Sequence, residues 1–148
     1  IKNGELYLTD RIKDLFKTSN GKYIAPQMLE AALVVDRYID QLVIIANERK
    51  YVSALIIPEY KLLGEWAAQQ GIVYNNTDEL CAHPKVVQMV MERIQTLQQG
   101  LAAYEQIKRI TLLPEPFSME RGELTNTLKV KRNVVNKNYA EIIERMYE

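Results

Sequence analysis

Two apolar, β-branched runs near the middle of the chain constrain the fold most. They span residues 42–46 and 51–57, and only the polar tetrapeptide Asn47-Glu48-Arg49-Lys50 separates them. Valine and isoleucine favour extended backbone because their branched side chains pack well on a pleated surface. The two runs are therefore predicted to be adjacent antiparallel strands, stopped by Pro58.

Shorter extended segments are predicted on either side of this pair. Residues 5–9 and 12–17 have strand character, and Asn20-Gly21 suits a turn that needs positive φ before residues 22–24 return as a small hairpin. Residues 108–113 predict a further strand. The chain thus supplies several short strands in addition to the central pair.

Helices are predicted wherever apolar residues recur every three or four positions. These segments are residues 26–39 behind Pro26, 60–70 before Gly71, 84–100 behind Pro84, and a last helix that begins near Lys129. Leu62, Leu63 and Trp66 are expected to face inward, and Thr77 is expected to cap a short turn through Cys81. Strands mixed with helices predict an α+β fold, in which several helices pack on a small antiparallel or mixed sheet with an N-terminal hairpin.

Composition narrows the classes of function. The 148 residues include 19 basic and 19 acidic side chains, so no net charge directs the protein to nucleic acid or to an anionic membrane. Cys81 is the only cysteine and His83 the only histidine, which excludes an internal disulfide and the usual zinc sites. Cys81 is expected to be a small buried group, and His83 a cap or surface residue. No apolar run approaches the ~18 residues of a membrane span.

The segment Gly122-Glu123-Leu124-Thr125-Asn126-Thr127-Leu128-Lys129-Val130-Lys131-Arg132 is the clearest candidate for chemistry. Its Thr125-Asn126-Thr127 cluster predicts a helix N-cap, with Lys129, Lys131 and Arg132 just inside the helix. Exposed cations at that positive end cost about 0.3–1 kcal/mol each, a penalty that a bound phosphate or carboxylate would reverse. Two interpretations stay open from the residues alone: an anion site, or solvated cations on a surface turn.

A second segment, Asp10-Arg11-Ile12-Lys13-Asp14-Leu15-Phe16-Lys17-Thr18-Ser19-Asn20-Gly21-Lys22-Tyr23-Ile24-Ala25-Pro26, precedes the first by about a hundred residues. Its residues alone indicate little chemistry. Gly21 can be a plain requirement of the hairpin turn, and Lys13 can be a solvated strand residue.

In their order, their spacing and the helix that follows each, these two segments resemble the two motifs of a known domain. It is the small C-terminal domain of the acyl- and acetyl-CoA synthetase superfamily of adenylate-forming enzymes, and the long-chain fatty-acid CoA ligase branch is the most similar. The resemblance covers nearly the whole chain, from Gly4 to the terminal helix. It implies that residues 1–148 are a single mobile, lysine-bearing domain of a larger enzyme whose large N-terminal domain is absent from this chain.

The resemblance assigns roles to the segment at residues 122–132. Lys129 matches the catalytic lysine of the adenylation step, and Thr127 and Arg132 match residues that support the motif. The commoner family form has glycine before the lysine and often proline near the motif's start, where Leu128 and Asn126 stand here. This form is similar to the Leu-Thr-x-Thr-x-Lys pattern of the long-chain branch.

In the segment at residues 10–26 the implied roles concern motion and nucleotide contact. Lys13 falls at the hinge about which the family turns its small domain between an adenylating and a thioester-forming orientation. Arg11 matches the arginine near the nucleotide. Gly21 and Lys22 lie in the hairpin that faces coenzyme A in the second orientation.

The function implied is that of an acid–thiol ligase. The full-length enzyme would join a fatty acid to ATP, accompanied by Mg²⁺, as an acyl-adenylate and then form the coenzyme A thioester, in the cytoplasm or at a membrane periphery. Its partner is the N-terminal adenylation domain of the same chain, and this domain alone, with no cofactor of its own, is expected to be inactive. Two alternatives stay open: a phosphate- or nucleic-acid-binding module, and an adenylate-forming enzyme with an acceptor other than coenzyme A.

Overall fold

A computed structural model of the protein describes residues 15–148. The predicted strand at residues 5–9, the start of the one predicted from residue 12, Arg11 and Lys13 lie outside the described residues. The elements, in chain order, are β1 (Phe16–Lys17), β2 (Tyr23–Ile24), α1 (Pro26–Leu33), β3 (Ile39–Ile45), β4 (Val52–Pro58), α2 (Tyr60–Gln69), α3 (Thr77–Ala82), α4 (Pro84–Leu97), a 3₁₀ turn (Ala103–Glu105), β5 (Ile107–Leu112), α5 (Arg132–Asn138) and α6 (Ala140–Arg145). The predicted α+β class is confirmed.

The central sheet has three strands in the order β3-β4-β5. β3 and β4 are antiparallel, as predicted, with Ile44 opposite Ala54. β5 lies parallel to β4 on its other side, with Ile110 also opposite Ala54. Pro58 is itself the last residue of β4. It lies beyond Ile56, the last β4 residue that pairs with β5, so its missing N–H removes no hydrogen bond to that strand. The β1–β2 hairpin forms a separate two-stranded sheet.

Both faces of the central sheet are covered, because alternate side chains along a strand point to opposite sides. One face carries Leu42, Ile44, Ala54 and Ile56, which pack with buried residues of α1, α2, α3 and α4. The other face carries Val43, Ile45, Leu55 and Ile57, which pack with Phe117 and with buried residues of α5 and α6. The terminal helices, and the loop that precedes them, are therefore seated on the face opposite to the main helical layer.

Two predicted helix boundaries were wrong. The first helix ends at Leu33 and not near Ile39, because Val34 and Val35 continue the apolar pattern into solvent while Asp36 accepts the Tyr38 N–H at 2.9 Å in a turn toward β3. Thr77 is the first residue of α3 and not its cap. The cap is the preceding asparagine, whose side chain accepts the N–H of Glu79 at 2.9 Å.

Other local predictions are confirmed. α2 stops just before Gly71, which has a φ of 73°. Leu63 is fully buried, and Leu62 and Trp66 pack against the same core. His83 caps α4 by accepting the Lys85 N–H at 3.2 Å on Nδ1. Within residues 15–148, no helix combines the length and the apolar character needed to cross a bilayer.

Candidate functional site

Residues 124–131, called the lysine loop below, form a tight excursion before the terminal helices. Leu124 and Val130 pair as an antiparallel bridge at its base. The Thr125 N–H donates to the Lys129 carbonyl at 2.8 Å, and the Lys129 N–H donates back to Thr125 Oγ1 at 3.1 Å. The Leu128 N–H donates to the Thr125 carbonyl at 2.9 Å. Thr125 therefore closes a loop, and the prediction that its cluster caps a helix is wrong.

The terminal helix begins later than predicted. α5 starts at Arg132, with Lys131 at the N-cap position and no side chain capping it. Leu128 has a φ of 63°, a left-handed conformation that ends any helix through this segment and that suits glycine best. Lys129 and Lys131 are consequently not inside a helix. Of the three cations, only Arg132 is subject to the predicted penalty for a positive charge at the N-terminal end of the helix dipole.

Lys129 stands near the tip of the lysine loop with its side chain in solvent. The residue is exposed, and within the described residues its ammonium group forms no ion pair. Thr127 is also exposed, and its Oγ1 lies 3.0 Å from Thr125 Oγ1. The loop backbone is ordered by its own hydrogen bonds, while the charge that it carries is free to meet a group supplied from outside.

The first end of the loop is fixed by Glu123, whose side chain is fully buried. Its carboxylate accepts hydrogen bonds from the Ser118 N–H at 3.0 Å, Arg121 Nε at 3.1 Å and Asn138 Nδ2 at 3.1 Å. Burial alone would raise the pKa of this carboxyl, but these hydrogen bonds outweigh it and hold the pKa below the ordinary value. The Glu123 carbonyl also accepts the Lys131 N–H at 2.8 Å, which ties the two ends of the loop together.

The last end of the loop is fixed by Arg132. Both terminal nitrogens of its guanidinium donate to the carboxylate of Glu30 in α1, Nη2 at 2.8 Å. Glu30 Oε2 also accepts the N–H of Ile44 on the edge strand β3 at 2.9 Å. The guanidinium lies 5.5 Å from the centre of the Phe16 ring in β1. Through Arg132, the structure joins the lysine loop to the hairpin of the segment at residues 10–26.

The β1–β2 hairpin presents the other predicted residues. Gly21 has a φ of 82°, and a Cβ built there would meet nothing within 4 Å, so its turn requires a conformation and not space. The Thr18 N–H donates to the Lys22 carbonyl at 2.9 Å across the turn. Lys22 Nζ lies 5.6 Å from the centre of the exposed Tyr104 ring. The predicted Gly21 and Lys22 are thus brought to one exposed turn.

Contacts between Tyr147, just after α6, and residues of the β3–β4 turn and β4 hold the terminal helix against the sheet. The Tyr147 hydroxyl donates to the Tyr51 carbonyl at 2.8 Å and accepts from the Ser53 hydroxyl at 2.8 Å, while the rings of Tyr51 and Tyr147 stack at 4.6 Å. Arg49 pairs with Glu144 and lies over the Tyr147 ring at 4.9 Å. These contacts fix the helices that follow the lysine loop.

Cys81 is the small buried group that the sequence predicts. Its Sγ lies 3.7 Å from the Leu113 carbonyl, and burial, with a smaller contribution from Asp78, raises the pKa of the thiol to about 11. A buried thiol with a raised pKa is a poor nucleophile at neutral pH, in keeping with a packing role for Cys81.

Sequence reasoning missed Glu30. Its partner Arg132 lies 102 residues away, and no local pattern marks such a pair. Glu123, by contrast, stands inside the predicted segment but was not singled out. Glu123 and Glu120 both lie in a polar loop, and nothing in the sequence indicates that Glu123 is buried.

The chain is similar to known proteins along almost its whole length. Residues 13–148 match the sequence family described as AMP-binding enzyme C-terminal domain. The whole chain is 36% identical to long-chain-fatty-acid–CoA ligase 5 of Rattus norvegicus and covers 22% of it. Similarly, 99% of the chain is 34% identical to the peroxisomal long chain acyl-CoA synthetase 7 of Arabidopsis thaliana and covers 21% of it. The chain therefore spans about a fifth of the length of these curated relatives.

A solved structure shares the fold. The adenylation domain of the carboxylate reductase from Mycobacterium chelonae matches 93% of this chain and 20% of its own, with a TM-score of 0.76 and 24% identity. At that identity the likeness concerns the fold alone.

Proposed function

This chain belongs to the family of AMP-binding enzyme C-terminal domains, and from that membership we propose that it is the mobile C-terminal domain of a long-chain fatty-acid CoA ligase. The full-length enzyme converts a fatty acid, ATP and coenzyme A to acyl-CoA, AMP and pyrophosphate. The similarity to ligases of that class over at least 99% of the chain supports the assignment. It favours coenzyme A as the acceptor over other nucleophiles.

The observation that carries the proposal is the exposed Lys129 ammonium group, which forms no ion pair with any residue in 15–148 and stands on an anchored loop. In the first half-reaction the fatty-acid carboxylate attacks the α-phosphate of ATP, and pyrophosphate leaves as the acyl-adenylate forms. Negative charge gathers around the α-phosphate, and the Lys129 ammonium stabilises it more in the transition state than in the ground state. Lysine suits this task because its long stem delivers a compact charge from one domain into another.

In the second half-reaction the domain turns and the thiol of coenzyme A attacks the acyl carbonyl, so that AMP leaves. Lys13 is the proposed hinge residue, since a few residues at element ends can absorb such a rotation. Gly21 and Lys22 are proposed to face coenzyme A from the exposed hairpin turn, and Arg11 to contact the nucleotide. Thr127 and Arg132 support the lysine loop.

The partner in this proposal is the N-terminal adenylation domain, and the C-terminal domain alone is inactive because no single domain holds both reactants. Among residues 15–148, no group of three or more Cys, His, Asp or Glu could hold a metal ion. Mg²⁺ is proposed to accompany the phosphates of ATP. The proposed location is the cytoplasm or the periphery of a membrane where fatty acids partition.

The test is Lys129→Ala in the full-length enzyme. Adenylation, followed by pyrophosphate exchange, should fall by about 10²–10³-fold or more because a transition-state donor is lost. Thioester formation from supplied acyl-adenylate should be spared. Lys131→Ala is the matched control, since it removes an equally exposed lysine two residues away and should spare both half-reactions. An equal loss of both half-reactions in Lys129→Ala would refute the assigned role.

A further inference from the structure

The carboxylate of Glu30 connects the lysine loop to the body of the domain, although no motif marks it. It lies in α1 and accepts two hydrogen bonds from Arg132 and one from the Ile44 N–H of β3. We propose that Glu30 is a positioning residue that sets the orientation of the lysine loop, and so the direction from which Lys129 enters the adenylation site. The proposal rests on the proposed function of Lys129.

Arg132 transmits the position of Glu30 to the loop over a short distance. Arg132 is three residues after Lys129 and is the first residue of α5. The other end of the loop is fixed separately at Glu123. Loss of the Glu30 contact would remove the link from the loop to α1, while the hydrogen bond from the Lys131 N–H to the Glu123 carbonyl would still close the loop. The loop would therefore pivot about Glu123, and its closing hydrogen bonds would open more often, without unfolding of the domain.

The geometry of the Glu30–Arg132 pair fixes the orientation of the Arg132 side chain as well as its distance from Glu30. A guanidinium that donates through both terminal nitrogens fixes the plane of the carboxylate, which a lysine in its place could not do. The side chains of Glu30 and Arg132 are 19% and 27% exposed, so water screens the pair only in part. The third hydrogen bond, from the Ile44 N–H at 2.9 Å, aligns the carboxylate with the edge of the central sheet.

The same contact links the two functional surfaces. The Arg132 guanidinium lies over the Phe16 ring of the hairpin that carries Gly21 and Lys22. Glu30 therefore holds the lysine loop and the hairpin in one rigid arrangement. When the domain turns between the half-reactions, both surfaces then move together.

The chain offers a closely matched control. Asp36 accepts Arg93 Nε at 3.0 and 2.8 Å and accepts the Tyr38 N–H at 2.9 Å. This pair likewise joins one carboxylate to a guanidinium and to a backbone N–H near β3. It has no contact with the lysine loop. Asp36→Asn consequently reports the cost of losing such a pair without any effect on Lys129.

The experiment compares Glu30→Gln, Arg132→Lys, their double variant and Asp36→Asn in the full-length enzyme. In Glu30→Gln the amide oxygen still accepts the Ile44 N–H, while the charged pair is lost. We expect kcat of adenylation to fall by about 10- to 100-fold with KM for ATP nearly unchanged, since misplacement of a reacting group by about 1 Å has that effect. Thioester formation should change less than about twofold.

Arg132→Lys should give the same loss, and the double variant no further loss, because both changes remove one interaction. Asp36→Asn should leave both half-reactions unchanged even if it lowers Tm as much. Hydrogen exchange of the peptide spanning residues 124–131 should be roughly tenfold faster in Glu30→Gln and unchanged in Asp36→Asn.

An equal fall in both half-reactions, additive losses in the double variant, or unchanged exchange of the loop would each overturn the role of Glu30. Failure of the proposed function itself is distinguishable. In that case Lys129→Ala would leave adenylation intact, while faster exchange of residues 124–131 in Glu30→Gln would still report the positioning contact.

Discussion

The two ends of the lysine loop are held by carboxylates of very different kinds. Glu123 is fully buried and takes its partners from within 15 residues of itself. Glu30 is partly exposed and reaches Arg132 across 102 residues. The contacts of Glu123 therefore lie within residues 118–138, whereas those of Glu30 require α1, β3 and the start of α5 to be packed together. The difference indicates that one anchor maintains stability and the other sets orientation.

The largest expected effect comes from the buried anchor. Glu123→Ala removes the carboxylate that accepts from Arg121 Nε, Asn138 Nδ2 and the Ser118 N–H, and it should lower the free energy of unfolding by about 3 kcal/mol. Denaturant unfolding of the domain measures it. Glu115→Ala is the control: Glu115 also meets Arg121, at 3.5 Å, but is 73% exposed. It should cost less than about 0.5 kcal/mol, and comparable losses in the two variants would contradict the contrast.

Acid should weaken the same anchor. The folded-state pKa of Glu123 lies below its ordinary value, so the unfolded chain binds more protons at acidic pH. Its stabilisation is therefore complete above about pH 4.5 and is lost as the pH falls through the folded-state pKa. The difference in unfolding free energy between the wild type and Glu123→Gln should shrink below pH 4.5. A constant difference down to about pH 3 would show that the carboxylate charge contributes nothing.

The partly exposed anchor should contribute less to stability. Glu30→Gln should lower the free energy of unfolding by about 1–2 kcal/mol, because charge-assisted hydrogen bonds are lost while one neutral hydrogen bond remains. Thermal or denaturant unfolding measures this loss. If Glu30→Gln destabilised the domain more than Glu123→Ala, the division between a stabilising anchor and an orienting one would be wrong.

The smallest effect concerns the loop between the anchors. Leu128 occupies a left-handed conformation that costs a non-glycine residue about 1–2 kcal/mol. Glycine avoids this cost, but it raises the conformational entropy of the unfolded chain, which offsets the gain in stability. Leu128→Gly should therefore change the unfolding free energy by less than about 0.5 kcal/mol. Leu128→Val, which is β-branched, should lower it by about 1 kcal/mol. Equal effects of glycine and valine would argue against the strained turn.

The sequence predicted the parts of the fold that depend on local chemistry. β-Branched runs marked β3 and β4, and Gly21 and Gly71 marked positions of positive φ. The parallel pairing of β5 was not predicted, because strand direction depends on how the chain returns and not on strand composition. α1 was predicted too long because Val34 and Val35 continue the apolar pattern of its core face, although both are exposed and no element within residues 15–148 covers them.

The sequence singled out the candidate site residues, whose roles stay predictions, but it did not predict the geometry of the loop that carries Lys129. A Thr-Asn-Thr cluster before basic residues is typical of a helix N-cap, yet Leu128 turns left-handed and Thr125 closes a loop instead. The anchors were hidden for a different reason. The burial of Glu123 and the pairing of Glu30 with Arg132 are consequences of tertiary structure, which periodicity and capping patterns do not encode.

The most direct test of the account restores the ammonium group of residue 129 chemically. Lys129→Cys in the full-length enzyme should lose adenylation, and aminoethylation of the new thiol rebuilds a lysine-like side chain at that position. Buried Cys81 should react far more slowly, and the same treatment of the wild type controls for other thiols. We predict that adenylation returns to within about tenfold of the wild type. Persistent inactivity of the modified enzyme, or full adenylation by Lys129→Cys before modification, would contradict the claim that this charge drives the first half-reaction.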